Sequence, residues 1–225
     1  MPRATFSRTA GLAASTSAVS LMAVLVGGCG APDDSRQPTE KRAAAPGAGS
    51  SPAQVLDSEQ LKAALPNQYS IPWELEFRDR MAWDNNDATY CQSERWPDEW
   101  CVEALSYGTA SYTNYKDQGL EIRLISFPDS ATAARLFKGK GTVDEVGESP
   151  PGDDIDGYEV EPTAENPTWS GKGIEVRQGA VLADVQYGWE AGTKVPEGRL
   201  LELADMVVRR ILQAQAGKPP TASVR

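Results

Sequence analysis

The chain has 225 residues, 22 Lys and Arg against 32 Asp and Glu, no histidine, and a formal net charge of −10. That length admits one domain or two small ones, and the acidic balance argues against nucleic acid, whose phosphates need a basic surface. Without histidine, Ser-His-Asp and Cys-His catalysis, His-ligated zinc and a His-based pH switch are all excluded.

The N-terminus carries only Arg3 and Arg8 before a charge-free stretch, Ala10–Gly28, whose most apolar part is Leu21–Val26. A basic start followed by a short apolar run reads as a secretory signal. The run closes on Val26-Gly27-Gly28-Cys29, which resembles a bacterial lipobox: an aliphatic residue, two small residues, then cysteine. The resemblance implies a diacylglyceryl group on Cys29 and cleavage just before it. Residues 1–28 are then a lipoprotein signal peptide. An uncleaved anchor and a type I cleavage nearby are the plainer alternatives. Two acyl chains hold a protein stably where one binds only marginally. Losing residues 1–28 removes two positive charges and leaves −12. Anionic lipid repels such a charge, so the acyl chains rather than electrostatics would do the anchoring.

Residues 30–54 contain no aliphatic side chain larger than alanine and no aromatic. With so little apolar surface to bury, residues 29–54 are expected to form a disordered tether. Its root-mean-square reach would be roughly 25–30 Å. Residues 218–225 are expected to fray as a disordered tail. Between them lies a single domain, residues 55–217, which holds every tryptophan and every tyrosine. Roughly 70% of the surface of a chain that size can be buried, enough for one core.

Within the domain, Asp57-Ser-Glu-Gln60 predicts a capped helix start, and Pro66 its stop. Trp73, Leu75, Phe77, Met81 and Trp83 lie mostly at alternate positions and predict a strand. Residues 84–103 read as a loop. Strands follow over Tyr107–Tyr115 and Leu120–Leu124, separated by a turn at residues 116–119. Pro128-Asp-Ser130 introduces a helix over Ala131–Lys138, and residues 144–157 read as an acidic loop. After a short strand at 158–160, Gly173–Gln178 and Ala180–Tyr187 flank a hairpin turn at Gln178-Gly179. The last element is a helix on which Leu200, Leu203, Ala204, Val207, Val208 and Ile211 repeat at helical spacing. Strands joined by short turns, with helices between and after them, predict an α+β fold: an antiparallel sheet with helices packed on one face.

The lipobox, the Ala/Pro/Ser tether, the opening helix Leu56–Leu65, the strand-to-helix join Ile125–Phe137 and the closing helix Leu200–Leu212 together resemble a broad group of actinobacterial lipoproteins. They are also similar to the extracellular sensor domains of mycobacterial receptor Ser/Thr kinases. The likeness is a pattern of elements over most of residues 55–216. It implies a ligand-binding or sensing role without enzyme activity, and it transfers no site residues. Those sensor domains usually carry two disulfides, whereas one cysteine pair is available here, and neither a kinase domain nor a membrane-spanning helix is expected to follow.

Once Cys29 is lipidated, Cys91 and Cys101 are an even pair in an exported domain, and a disulfide is the expected state. Trp96 and Trp100 lie between them, with Trp83 and Tyr90 just before. Flanked by Glu94, Asp98 and Glu99, these rings either stack on a sugar or hold a cationic group, or they pack as a small core under the disulfide. Asp153, Asp154 and Asp156, with Glu145 and Glu148 upstream, offer oxygen ligands for calcium but miss the EF-hand spacing, as do Asp84 and Asp87. Gly139-Lys-Gly-Thr142 lacks the Walker pattern. No cofactor or metal is expected.

The resulting expectation is an accessory or sensor-type binding module without enzyme activity. It would be lipid-anchored at the extracytoplasmic face of the cell membrane, with a membrane-protein or cell-wall partner. The alternatives are glycan or peptide binding through the Trp96/Trp100 loop, and a carboxylate-dependent hydrolase.

Overall fold

The computed structural model describes residues 54–86, 88–93, 96–139, 150–162 and 167–224. The signal peptide, Cys29, nearly all of the expected tether, Asp87, Glu94, Glu145 and Glu148 lie outside the described residues.

The element order is α1 (Ser58–Ala64), a 3-10 turn (Gln68–Ser70), β1 (Glu76–Asp84), α2 (Ala88–Ser93), α3 (Asp98–Glu103), β2 (Ser106–Thr113), β3 (Gln118–Ser126), α4 (Ser130–Leu136), β4 (Asp154–Val160), β5 (Trp169–Gln178), β6 (Val181–Glu190) and α5 (Arg199–Gln215). The six strands form one antiparallel sheet in the order β1-β2-β3-β6-β5-β4. The fold is α+β, as the pattern of elements predicts. The β5–β6 hairpin turns at Gly179, whose φ of 59° is a conformation that favours glycine.

Local chemistry sets several boundaries. Asp57 accepts from the Gln60 amide at 2.8 Å, and Gln60 Oε1 accepts from the Asp57 amide at 3.1 Å, closing a reciprocal capping box on α1. Asp129 likewise accepts from the Thr132 amide at 2.7 Å, and these amide bonds hold its carboxyl below the ordinary value. The strand expected from Trp73 begins only at Glu76, and the segment expected to be a loop at residues 84–103 contains α2 and α3. Asn85 explains the second difference. Its side-chain amide donates to the Cys101 and Ala104 carbonyls at 2.6 and 3.0 Å, satisfying the end of α3.

Register separates the two faces of the sheet. Ala110, Ile122, Val185 and Ile174 stand opposite one another on adjacent strands, as do Tyr112, Leu120 and Tyr187. This face packs against α1 and α5, burying Leu61, Leu65, Leu203, Val207 and Ile211 completely. Each such aliphatic side chain contributes roughly 1.5–3 kcal/mol. The opposite face begins with the row Tyr107, Ile125 and Leu182, which packs with α3, α4 and the two cysteines in a second cluster. Helices α1 and α5 therefore share one face, and α3 and α4 cover one end of the other.

The C-terminal segment departs from expectation. Lys218–Val224 is docked rather than frayed: Val224 is buried, its amide donates to the Ser70 carbonyl at 2.8 Å, and Gln213 Oε1 accepts from the Thr221 and Ala222 amides. A buried arginine holds it there. Arg210, on the apolar side of α5, spends all five of its N–H donors on protein oxygens. It donates to the carbonyls of Ala63, Ala64 and Leu65 at the end of α1 (2.9, 2.7 and 3.1 Å), to Ser70 Oγ (3.2 Å), and to the Ala222 carbonyl (3.1 Å).

Candidate functional site

The residues singled out in the sequence come together, but as core. The Cys91–Cys101 disulfide joins α2 to α3 across a Cα separation of 5.6 Å. Trp96 and Trp100 are 3% and 4% exposed. Their ring centroids are 5.6 Å apart, Trp100 meets Phe127 edge-on at 6.5 Å, and Trp83 tilts against Tyr107 at 5.4 Å. The Arg123 guanidinium lies 4.9 Å above the Trp96 ring. The ring faces are thus occupied by neighbours, and of the two readings open for Trp96 and Trp100 the structure favours the small core under the disulfide over a glycan-stacking surface. Stacking on a sugar needs an accessible face, and burial under the disulfide removes it.

Beyond this cluster the same sheet face carries a polar row. Thr109, Arg123, Asp184, Glu175 and Asp156 stand in register on β2, β3, β6, β5 and β4, and all five are buried. Asp184 accepts from Arg123, from the Tyr158 hydroxyl, and from Gln186 Nε2 at 3.0 Å. Burial works to discharge Arg123, but the field of Asp184, with Glu121 and Tyr158, outweighs it and holds the guanidinium protonated more firmly than usual. Within the row, Arg123 and Asp184 form a buried ion pair. A hydrolase would need its acids facing a substrate cleft, whereas Asp184 is engaged with three protein groups.

The calcium alternative meets a similar obstacle. Arg177 Nε donates to Asp154 at 2.5 Å and its Nη1 to Asp153 at 3.0 Å, while Asp153 also accepts from the Gly179 amide at 2.7 Å. Asp156 lies inside β4 in the buried row. Among the described residues no group of carboxylates and cysteines is arranged to hold a metal ion.

The exposed chemistry is elsewhere. Four large rings stand out from the surface around the start of β1: Trp73 at 88% exposure, Tyr69 at 84%, Tyr115 at 61% and Phe77 at 40%. The backbone beneath the first two is braced. Gln68 Nε2 donates to the Leu75 carbonyl at 2.9 Å while its Oε1 accepts from the Phe77 amide, so one side chain closes the loop over residues 68–77. Asn67 Oδ1 accepts from the Tyr69 amide and the Ser70 hydroxyl at 2.9 and 3.0 Å. Tyr115 sits at the tip of the β2–β3 turn with a φ of 60°, where Asn114 Oδ1 accepts from the amides of residues 116, 117 and 118 at 2.9–3.0 Å. The Arg78 guanidinium lies 5.1 Å above the Tyr115 ring. A non-glycine residue in this region is uncommon and clusters at functional positions.

Sequence reading missed this corner. Trp73 is aligned with the alternation of β1, and Tyr69 carries no pattern of its own. The available signal was Asn67 between Pro66 and Pro72, a turn composition that argues against extending the strand this far.

The fold and the corner together define an α+β domain with braced, outward-facing aromatic rings at one edge of its sheet. No family model and no curated protein matches this chain. Among solved structures, the extracellular domain of PknH from Mycobacterium tuberculosis is similar, with a TM-score of 0.44 and 13% sequence identity, covering 74% of this chain and 100% of that one.

Proposed function

We propose that this protein is an exported, lipid-anchored binding module without enzyme activity, displayed at the outer face of the cell membrane and engaging a membrane-protein partner through Tyr69, Trp73, Phe77 and Tyr115. The observation that carries this reading is the pair Tyr69 and Trp73, exposed at 84% and 88% on a loop that Gln68 closes. Exposing large rings is costly to solubility and is favoured when a partner covers them. Trp and Tyr are the residue types that dominate binding energy at protein interfaces, and a pre-ordered loop reduces the entropy lost on docking. The buried disulfide supports export, since such bonds persist in oxidising compartments. Anchoring through Cys29 rests on the lipobox resemblance.

A photoreactive phenylalanine analogue placed at position 69 or 73 in living cells, followed by mass spectrometry, tests the reading. The expected result is one reproducible membrane-protein adduct, lost when Cys29→Ala releases the chain from the membrane. Adducts no different from those of an analogue at exposed Glu161 overturn the partner assignment. Cell-wall glycan captured in place of protein also overturns it.

A further inference from the structure

We infer that the C-terminal segment Lys218–Val224 is a strap that sets the posture of the aromatic corner, with Arg210 as the positioning residue that clasps it. This deepens the proposed function and rests on the corner being a binding surface.

The observation is a chain of contacts through one side chain. Arg210 reaches the last carbonyls of α1, the hydroxyl of Ser70 and the carbonyl of Ala222 at the same time. Ser70 is the hinge of this arrangement. Its hydroxyl joins Arg210 to Asn67, and its carbonyl accepts from the Val224 amide at 2.8 Å. Asn67 in turn fixes the Tyr69 amide, and Trp73 is four residues further along the same loop. The strap therefore reaches the exposed rings through Ser70. Val224 adds a buried apolar contact to the main core, with Ala222 packed beside it.

Arg210 suits this role for a physical reason. A helix C-terminus presents unpaired carbonyls and the negative end of the backbone dipole, which a guanidinium satisfies. A planar fork with five donors spans three separate segments, which an ammonium cannot do. Because the partners are neutral oxygens, burial pulls the group below the ordinary arginine value. Ser70 is held from two sides, by Arg210 at its hydroxyl and by Val224 at its carbonyl, so losing the strap removes one of the two holds on the loop.

Displacement of the strap, by proteolysis or by competition for the Ser70 carbonyl, then frees the loop over residues 67–77 while the sheet stays folded. Binding at the corner becomes sensitive to an event at the other end of the chain.

Hydrogen exchange on the full mature chain tests this without any partner. A chain ending at Pro219 should exchange amides of residues 67–77 at least tenfold faster, with β3 and β6 unchanged. Val224→Pro, which removes only the donor to Ser70, should give a smaller increase confined to the same residues. Arg210→Lys keeps the charge but not the fork and should loosen the same segment. Unchanged exchange over residues 67–77 in the shortened chain overturns the inference, as does an equal acceleration of every element. If crosslinking from position 73 finds no partner while the exchange result holds, the binding reading fails and the strap stands.

Discussion

The Tyr158 ring lies across Gly173, its partner on the neighbouring strand: a Cβ on Gly173 would come within 2.1 Å of the ring carbon that bears the hydroxyl. Only the missing side chain lets the phenol cross β5 and reach Asp184 on β6. Gly173→Ala is expected to push the ring aside, break that bond, and destabilise the domain by roughly 1–3 kcal/mol. Urea denaturation measures it. A variant as stable as the parent would show that the Tyr158 bond contributes nothing.

Breaking the disulfide should act locally first. Cys91 and Cys101 are fully buried and enclose a short loop, for which the chain-entropy account gives about 2.5–3 kcal/mol. Cys101→Ser should lower the Tm by about 5–10 °C for a domain of this size. Because Trp96 and Trp100 pack in the same cluster, tryptophan emission should shift to the red before the sheet melts. Coincident loss of both signals would mean that the cluster and the sheet form one cooperative unit.

Trp73→Ala separates binding from folding. The indole is almost wholly exposed, so its removal should change stability by less than about 0.5 kcal/mol. Capture of the partner should nevertheless fall at least tenfold. A substantial drop in thermal stability would instead assign the ring a packing role.

Alkaline pH offers a fourth check. Burial pushes the Tyr187 hydroxyl up to about 12, with Glu74 and Asp117 adding to the shift and Arg199 opposing it. An unfolded tyrosine ionises near pH 10. The folded group keeps its proton longer, so its contribution is whole below about pH 10 and lost as pH rises through about 12. Tyr112, donating to the Pro66 carbonyl at 2.6 Å, is raised by burial as well. Denaturation midpoints should therefore fall steadily above pH 10, and the Tyr187→Phe variant should show a shallower decline. Identical pH slopes for the two would remove Tyr187 from the account.

Much of the fold was legible because several elements are specified by local rules. The capping box at Asp57, the alternation of Leu120, Ile122 and Leu124, and the helical repeat from Leu200 to Ile211 each follow from short-range chemistry. The errors share a cause as well. Residues 88–103 form two helices of 6 residues each, too short to show a repeat, and what makes them regular is tertiary: the disulfide and the Asn85 cap. The docked C-terminal segment was illegible for the same reason, since Lys-Pro-Pro-Thr-Ala-Ser-Val has tail composition and only Arg210 gives it partners. Arg210 itself appears on an otherwise apolar helix face without any marker that its charge is buried.

The candidate site was harder still. Tryptophan between two cysteines attracts a binding hypothesis, yet those rings are the ones that the fold buries. Of the exposed rings, Trp73 sits where the expected strand runs too far toward the N-terminus. Alternation places side chains on faces, but it cannot reveal that the Gln68 side chain bridges the Leu75 carbonyl and the Phe77 amide across the loop before β1.

The clasp also fixes an order of events during synthesis. The carbonyls of Ala63 and Ala64 wait for a guanidinium that lies 147 and 146 residues further along the chain. Contacts of such separation close late, after the intervening sheet has assembled. A nascent chain emerging from its N-terminus can cap the start of α1 through Asp57 almost at once, but its far end stays unsatisfied until α5 has emerged. The loop bearing Tyr69 and Trp73 reaches its final form only when Val224 has been added. A product that stops before Val224 therefore presents a corner that lacks the bond to the Ser70 carbonyl.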